Sequence, residues 1–432
     1  MPIWNEKYET MKRDELEQEQ LERLQQTLSR VYRRVSHYQD LFNEIDFDPD
    51  AISALTDLKK IPYTTKDTLR LAYPYDMFAV PLREVVRMQS TSGTTGQPLI
   101  VGYSRNDIDH WTELTARVLY AGGVTKDDII NICFPYGLFT GGLGFHYGAE
   151  KIGASVIPSS EADIENQIIV MKDYRTTAIT CAPTYAAQLC EVMHEKGITP
   201  AELSLSKGLF GAEPWSETFR NEMQDRLSIS VTDNYGLTEI IGPGVSFECD
   251  QKNGLHISED HFIPEIINPD TGEILGPGEK GELVLTTITK EAYPLVRYRT
   301  GDLTTLRYED CGCGRCLVKM DKVFERVDDM IILNGQNMFP LQFEQILTEV
   351  IGTTPKYQII IEKKDNLDEL EIQVEVSGDF FFDEMKKLAQ IEPAVAKEVK
   401  KRLDFIPKVT LVEPRTIKRH MKQIKVVDRR RD

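Results

Sequence analysis

The 432-residue sequence predicts an α/β protein whose large N-terminal domain is built on mainly parallel sheets, with a smaller α+β domain after it. Two observations support this fold class. Short apolar runs alternate with helical stretches, as in βαβ units, at 129–134 (IINICF), 154–158 (ASVIP), 177–182 (TAITCA) and 207–213 (KGLFGAE). Beyond residue 328 a helical segment is instead mixed with alternating strands.

The first element is an amphipathic helix between Leu21 and Tyr38, where apolar residues recur at alternating spacings of three and four. We expect this helix to pack on its own domain. A dimerising seam, which would make the protein a homodimer, is the alternative.

A strand is predicted at Glu84–Met88, and the loop Ser90–Pro98 (STSGTTGQP) follows it. Glycines allow backbone N–H groups to converge on an anion, and the hydroxyls add donors, so this loop is suited to bind phosphate. It is not the P-loop of NTPases, because no lysine follows the second glycine. An ordinary surface turn is the alternative, since small residues cluster in turns.

The sequence pattern changes twice further along the chain. Residues 268–287 carry the turn sequences DTG, GPG and EKG around short alternating strands, which predicts a small antiparallel β subdomain. The later elements are a helix and two strands, at Leu341–Val350, Tyr357–Glu362 and Glu371–Val376. We place the boundary at Asp328 and Asp329, which gives domains 1–327 and 328–432.

Charge and composition restrict the partners and the location of the protein. The 51 basic and 69 acidic residues give a net charge of −18, which repels nucleic-acid phosphates and anionic lipid, so neither nucleic acid nor membrane is an expected partner. The N-terminus lacks a secretory signal pattern, and no apolar run reaches the roughly 20 residues that span a bilayer. We therefore expect a cytoplasmic protein.

Seven segments in the same order resemble the adenylate-forming superfamily, and within it the phenylacetate-CoA ligase family, along nearly the whole chain. They are TSGTTGQPLIVGY (91–103), YGLFTGGLGFHYGAEKIGASVIP (136–158), GAEPW (211–215), YGLTEIIGPGVSFEC (235–249), GLHISEDHF (254–262), RYRTGDL (297–303) and RVDDMIILNGQNMFP (326–340). The resemblance implies the adenylate-forming (ANL) fold with a small mobile C-terminal domain. It also implies an AMP-forming aryl-CoA ligase, which activates an acid with ATP and transfers the acyl group to coenzyme A.

The same resemblance implies a nucleotide site. Glu239 would help to hold Mg²⁺, a cation that binds carboxylate and phosphate oxygens, and Thr238 would lie against the nucleotide phosphate. Tyr235 would stack on adenine, while Asp302 and Arg326 would face the ribose hydroxyls. The other implied nucleotide-binding residues are Thr91, Ser92, Gly93, Thr94, Thr95, Gly96, Gly211, Ala212, Glu213, Asn234 and Gly236.

Adenylation brings a carboxylate and a triphosphate together, so the reaction needs a positioned cation as well as Mg²⁺. In the resembled family a lysine lies six residues before an aspartate near the C-terminus. Asp428 sets that register here and identifies Lys422. The surrounding HMKQIK segment departs from the family pattern, and Lys425 is the alternative.

The resemblance further implies that the C-terminal domain rotates between two half-reactions about a hinge at Asp328 and Asp329, so that the loop 333–339 enters the site for thioester formation. The acid would occupy an apolar pocket in which small residues leave volume and larger ones form walls. The pocket residues are Tyr136, Phe139, Gly141, Gly211, Ala212, Ile240 and Pro243. Core packing of the aromatic residues is the alternative.

Five soft ligands indicate a metal site. Cys311, Cys313 and Cys316 form a tight knuckle, and Cys249 with His256 precedes it, a set that favours tetrahedral Zn²⁺ in a cytosolic protein. Related sequences keep CxCGR without the last cysteine, so the resemblance selects Cys249, His256, Cys311 and Cys313, with Cys316 in reserve. A closed shell of four protein ligands leaves no position for water or substrate, so the zinc would be structural. Reduced thiols without metal are the alternative.

The main functional hypothesis is an aryl-acid CoA ligase that acts on phenylacetate or a similar acid. An adenylating enzyme that passes the acyl group to a carrier protein or another acceptor is the second hypothesis. A nucleotide-binding regulator without catalysis is the third, and the altered residues beside Lys422 are its only support.

Overall fold

The computed structural model describes residues 3–91, 98–160, 163–327, 331–333, 336–338, 340–353, 355–364, 367–375, 385–414, 416–417 and 426–429. They form two compact units. The first consists of Met1–Trp215 and Met223–Lys322, and the second of Ser216–Glu222 and Val323–Asp432. The predicted domain boundary at Asp328 stays a prediction, because compactness alone does not locate a hinge.

The helices of the described residues are numbered in chain order. They are α1 (Glu6–Glu9), α2 (Arg13–Arg34), α3 (Ser36–Glu44), α4 (Lys66–Leu71), α5 (Arg105–Ala121), α6 (Gly141–Ile152), α7 (Ile164–Asp173), α8 (Pro183–Glu195), α9 (Glu217–Leu227), α10 (Pro340–Ile351) and α11 (Met385–Leu403). Short 3₁₀ helices lie at Pro49–Ala51, Leu55–Lys60, Leu82–Glu84 and Pro200–Glu202. Within the described ranges, none of the helices combines the length and apolar character of a membrane-spanning segment.

The strands are numbered in the same way. They are β1 (Arg87–Ser90), β2 (Ile100–Tyr103), β3 (Ile129–Ile132), β4 (Ser155–Ile157), β5 (Ala178–Cys181), β6 (Lys207–Gly211), β7 (Ser230–Leu237), β8 (Gly242–Glu248), β9 (Leu255–Ile257), β10 (Phe262–Ile267), β11 (Gly281–Thr287), β12 (Tyr298–Thr304), β13 (Leu306–Arg307), β14 (Lys319–Met320), β15 (Glu325–Arg326), β16 (Ile331–Leu333), β17 (Gln336–Met338), β18 (Lys356–Lys364), β19 (Leu367–Glu375), β20 (Lys408–Val412) and β21 (Val426–Asp428).

The main sheet of the first unit has the strand order β13-β14-β9-β8-β7-β6-β5-β3-β4. Neighbouring strands from β4 to β7 are parallel, and those from β7 to β13 are antiparallel. The chain runs from β3 to β4 on one side and then to β5, β6 and β7 on the other, so the strand order reverses beside β3. Ligands of such sheets bind outside the carboxyl ends of the parallel strands, and β5, β6 and β7 also end at this edge.

The described residues also form the two-stranded sheets β1-β2 and β16-β17 and two larger sheets. In the first unit, β10, β11 and β12 pair antiparallel. In the second unit, the order is β20-β19-β18-β21, with β18 and β19 antiparallel and the outer strands parallel to their neighbours. The cores are separate: a cluster around Phe145 and Leu209 lies in the first unit, and a cluster around Phe343 and Ile359 in the second.

The structure confirms the α/β class, since the apolar runs at 129–134, 154–158, 177–182 and 207–213 contain the parallel strands β3 to β6. Two local details near the N-terminus differ from the sequence prediction, and in the segment 268–287 only Gly281–Thr287 forms a named strand, β11. The predicted helix from Leu21 to Tyr38 is two helices, because the β-branched Val35 adopts an extended conformation between them. The predicted strand at Glu84–Met88 starts only at Arg87, since Leu82–Glu84 is a 3₁₀ turn.

The stripe of the N-terminal helices is buried within the chain. Leu24, Leu28, Val31 and Tyr38 are wholly inaccessible to solvent. Tyr38 also donates a hydrogen bond to Thr64 or accepts one from it, and accepts another from the backbone N–H of Val296. Packing on its own domain therefore accounts for the stripe.

A buried ion pair joins helix α5 to the turn before β10. The two terminal nitrogens of Arg117 donate to the two carboxylate oxygens of Asp260, each at 2.8 Å, and both side chains are almost fully buried. Burial alone would raise the pKa of Asp260, but the neighbouring His261 and Arg117 charges hold it well below its usual range. The carboxylate therefore stays charged and compensates the guanidinium.

Replacing Asp260 with asparagine should destabilise the first unit by about 3–5 kcal/mol, because Arg117 would be left as a buried charge without its anion. The measurement is urea unfolding followed by tryptophan fluorescence, since the three tryptophans all lie in the first unit. Glu202→Gln is the control: its pair with Lys172 at 2.8 Å is exposed and should contribute less than about 1 kcal/mol. Equal effects of the two substitutions would contradict the prediction.

Candidate active site at the carboxyl edge of the parallel strands

The segment 211–215 (GAEPW), which begins at the last residue of β6, is fastened to the start of helix α8. The carboxylate of Glu213 accepts hydrogen bonds from the backbone N–H of Thr184 at 3.2 Å and from its hydroxyl at 3.1 Å. An anion at a helix N-terminus is favourable, because the first N–H groups carry partial positive charge. Glu213 thus holds this segment against α8, and its predicted role toward nucleotide stays a prediction.

Neighbouring strands β6 and β7 are also tied together at this edge. The side-chain amide of Asn234 donates to the carbonyl oxygen of Phe210 at 2.8 Å. A Cβ atom on Gly211 would lie 2.6 Å from the Asn234 carbonyl oxygen, so only glycine allows this approach. Ala212, the next residue, has a positive φ of 70°, a strained conformation that is concentrated at functional sites.

Tyr235 and Asp302, which the resemblance assigns to adenine and ribose, contact each other. The Tyr235 hydroxyl donates to an Asp302 carboxylate oxygen at 2.6 Å, although the residues come from β7 and β12 of different sheets. The backbone N–H of Asp302 is itself bound to the Thr300 hydroxyl. Arg326 lies in β15 of the second unit.

Thr238 and Glu239 lie in a tight turn between β7 and β8. The backbone N–H groups of Ile240 and Ile241 both donate to the carbonyl oxygen of Leu237 at 3.1 Å. The turn is closed by a very near approach of its two strands, since a Cβ atom on Gly236 would lie 2.0 Å from the carbonyl oxygen of Gly242. Thr238 and Glu239 are both buried, so the turn presents its polar groups within the protein rather than on its outer surface.

Three side chains bind the carbonyl oxygens on the far side of this turn. Lys290 donates to Ile240 at 2.6 Å, the Tyr103 hydroxyl to Ile241 at 3.0 Å, and the Trp111 indole to Pro243 at 2.9 Å. Burial lowers the pKa of Lys290 to about 7, against the opposing influence of Asp107 and Glu239. No motif selects Lys290 from the sequence; its only signal is a lysine in a segment otherwise rich in apolar and threonine residues.

The predicted acid-binding residues fall into two neighbouring groups. Tyr136, Phe139 and Gly141 lie at or just before the start of α6, whereas Ile240 lies in the turn and Pro243 at the start of β8. The remaining predicted pocket residues, Gly211 and Ala212, lie at the end of β6. A hydrogen bond of 3.2 Å between the hydroxyls of Thr140 and Thr238 links the groups.

The two groups differ in how they could meet a ligand. Tyr136 is half-buried and shares a hydrogen bond of 3.1 Å with Nδ1 of His146, and burial raises its pKa. Phe139 is likewise only partly buried and packs at the margin of the core. Ile240 is wholly inaccessible, which favours core packing for this residue.

Several predicted residues lie outside the described residues. They are Ser92, Gly93, Thr94, Thr95 and Gly96 of the phosphate loop, Asp328 and Asp329 of the hinge, and Lys422 and Lys425. The base of the phosphate loop is described: the backbone N–H of Thr91 donates to the carbonyl of Leu99 at 3.1 Å, and the Thr91 hydroxyl accepts from Leu99 at 3.0 Å. These two bonds close the loop at its ends.

The four selected metal ligands come together. The ligand atoms of Cys249, His256, Cys311 and Cys313 lie within 4.8 Å of one another. The Cys249 and Cys311 sulfurs are 3.7 Å apart, and the Cys313 sulfur is 3.4 Å from Nε2 of His256. With Zn–S of about 2.3 Å and Zn–N of about 2.0 Å, a tetrahedral ion would separate two sulfurs by roughly 3.7 Å and a sulfur from a nitrogen by roughly 3.5 Å. The cluster fits zinc, whereas Cys316 is exposed.

The surroundings of the cluster also suit a metal. A hydrogen bond from Cys249 lowers the pKa of the Cys313 thiol, and His256 and Arg315 act in the same direction against the effect of burial. Nδ1 of His256 faces the carbonyl oxygen of Leu317 at 3.5 Å, which leaves Nε2 toward the sulfurs. Outer contacts of this kind orient metal ligands in proteins.

Comparisons with known proteins agree with this geometry. Residues 12–289 match the family model described as AMP-binding enzyme, and residues 335–430 match the AMP-binding enzyme C-terminal domain. A phenylacetate-coenzyme A ligase of Thermus thermophilus is 44% identical over 95% of this chain and 96% of its own length.

Two further matches support the likeness. An Escherichia coli protein of the same name as the Thermus relative is 45% identical over 85% of this chain and 84% of its own length. A solved structure of 2-hydroxyisobutyryl-CoA ligase in the postadenylation state superposes with a TM-score of 0.91 at 25% identity, over 99% of this chain and 92% of that one.

Proposed function

The chain belongs to the phenylacetate-coenzyme A ligase family of AMP-binding enzymes, and from this premise we propose that it activates an aryl carboxylic acid with ATP and transfers the acyl group to coenzyme A. AMP and pyrophosphate are the other products. The contact between Tyr235 and Asp302 carries the proposal for the site, because it joins two sheets at the edge where ligands of parallel sheets bind. The Thr238–Glu239 turn lies at the end of the same strand, β7.

The residues support a division of roles in adenylation. The loop from Thr91 to Gly96 would hold the ATP phosphates, with Tyr235 and Asp302 at the nucleoside. Glu239 would hold Mg²⁺, since a carboxylate oxygen is a ligand that this cation prefers, and the bound ion would supply positive charge to the phosphates. Gly211, Ala212, Asn234 and Gly236 would shape the backbone against which the nucleotide lies.

The acid would bind beside Tyr136, Phe139 and Gly141, whose aromatic walls suit a flat apolar body. Coenzyme A would then accept the acyl group after a movement about Asp328 and Asp329, which we retain as the proposed hinge. A cytoplasmic location and a homodimer stay predictions. The apolar stripe of α2 no longer supports a dimer, since it is buried within the chain.

The proposed function is tested by a screen of phenylacetate, benzoate derivatives and indole acids, with AMP release measured in the presence and absence of coenzyme A. The best aryl acid should show CoA-dependent AMP release with kcat/KM in the range of about 10⁴–10⁸ M⁻¹s⁻¹. Exchange of pyrophosphate into ATP without CoA-dependent AMP release would instead indicate another acyl acceptor. Absence of both reactions for every acid would overturn the proposal in favour of a regulator.

Lys422 is the proposed adenylation lysine. Lys422→Ala should slow adenylation by about 10²–10³, because one charge-stabilising donor for the α-phosphate is lost. Thioester formation from supplied acyl-adenylate should be largely unchanged. Lys401→Ala, which removes an exposed lysine paired with Glu398, is the control. If Lys425→Ala slows adenylation and Lys422→Ala does not, Lys425 is the adenylation lysine. If Lys422→Ala slows both half-reactions equally, Lys422 has no specific role in adenylation.

We further propose that Cys249, His256, Cys311 and Cys313 hold a structural zinc ion. Protein purified without chelator should contain about one zinc per chain, and Cys313→Ser should lose the metal together with thermal stability of the first unit. Cys316→Ser is the matched control and should keep both, because Cys316 is exposed. The measurements are elemental analysis and thermal unfolding by fluorescence. Well under one zinc per chain in the unaltered protein would refute the site.

A further inference from the structure

Lys290 is a buried lysine directly beneath the Thr238–Ile241 turn. Its side chain is 2% exposed, and its ammonium donates to the carbonyl oxygen of Ile240 at 2.6 Å and lies 3.5 Å from that of Glu239. The ammonium also lies over the rings of Tyr103 and Tyr293, at 4.7 and 5.6 Å from their centroids. Both rings present an electron-rich face, which attracts a cation.

The position of Lys290 is itself fixed by helix α5. The Asp107 carboxylate accepts hydrogen bonds from the backbone N–H groups of Glu291 and Ala292, at 2.7 and 2.9 Å. These residues follow Lys290 directly, so the backbone that carries the lysine has little freedom. The turn is therefore attached through Lys290 to a rigid helix.

Packing alone does not account for a lysine at this position. A buried ammonium is costly unless it is compensated, and an apolar side chain of similar volume is often neutral or stabilising in its place. The compensation here comes from the carbonyl oxygens of Glu239 and Ile240 and from the carboxylates of Asp107 and Glu239. The interaction thus fixes the backbone of Glu239.

We infer that Lys290 is a positioning residue for adenylation, because its ammonium holds the carbonyl oxygens of Glu239 and Ile240 and so sets where the Glu239 carboxylate and the Thr238 hydroxyl lie. This inference rests on the proposed function of the same site. Lys290 acts through the turn and does not touch the substrate. Loss of Lys290 should therefore affect two groups on the turn: the Glu239 carboxylate proposed for Mg²⁺ and the Thr238 hydroxyl proposed for the nucleotide phosphate.

The test compares Lys290→Met with Lys207→Met. Lys207 is a partly buried lysine whose ammonium lies 2.6 Å from Asp128. It begins β6, whereas Gly211 at the other end of β6 belongs to the site. Pyrophosphate exchange is measured against Mg²⁺, ATP and acid concentration, and thioester formation is measured from supplied acyl-adenylate. Circular dichroism and thermal unfolding establish that both variants are folded.

Lys290→Met should raise the half-saturating Mg²⁺ concentration and lower the exchange rate, each by about tenfold or more, as loss of an outer partner does at other metal sites. The KM for the acid and the thioester half-reaction should stay within about twofold of the unaltered enzyme, and Lys207→Met should leave all four quantities unchanged. If Lys290→Met does not fold, Lys290→Gln replaces it in the test. Glutamine keeps N–H donors without the charge, so the Mg²⁺ requirement and the exchange rate should change in the same direction but by less.

An unchanged Mg²⁺ requirement in the Lys290 variant, or an equal fall in every kinetic quantity, would overturn the inference and leave the proposed function intact. Equal losses in the Lys290 and Lys207 variants would do the same, because they would reflect general destabilisation. Absence of exchange in the unaltered protein with every acid would refute the proposed function, and the role of Lys290 with it.

Discussion

Hydrogen bonds from helix α5 to three separate segments fix the geometry of the candidate site. Asp107 binds the backbone after Lys290, Trp111 binds the carbonyl of Pro243, and Arg117 binds Asp260 before β10. The bonds of Trp111 and Arg117, and that of Asp107 to the backbone N–H of Ala292, are buried, so an unpaired partner there would be costly. Helix α5 thereby fixes the relative positions of the segment after β7, the start of β10 and the segment that follows β11.

The cysteine cluster performs a similar task at the other edge of the first unit. Its ligands come from the end of β8, from β9 and from the knuckle between β13 and β14, so one ion would connect strands far apart in sequence. The knuckle also binds the N-terminal helices: Arg315 pairs with Glu9 at 2.5 Å, and the backbone N–H of Cys316 donates to the carbonyl of Glu9. A metal at the cluster would therefore stabilise the attachment of α1 as well as the sheet edge.

Much of the fold follows from the sequence, because apolar runs of strand length between helical stretches leave few arrangements other than a parallel sheet. The four runs from 129 to 213 became β3 to β6 as predicted. The ends of the helices were harder to predict. The apolar stripe is buried both before and after the helix break at Val35, so the spacing of its residues does not indicate the break. The chemistry of thiolates and imidazole predicted a cluster of five candidate metal ligands, and the family resemblance selected the four that the structure brings together.

The candidate site shows where such prediction reaches its limit. A motif identifies which residues cluster, but the partners of each side chain depend on tertiary packing that the motif does not contain. The predicted roles of Glu213 and Asn234 at the nucleotide stay predictions; in the structure the Glu213 carboxylate binds the start of α8 and the Asn234 amide binds Phe210. An atom committed to such a bond contributes chiefly by holding the backbone, so these residues can shape the site without contacting ligand. Lys290 illustrates the converse, because a lysine is almost always exposed and its burial beneath the turn is visible only in the structure.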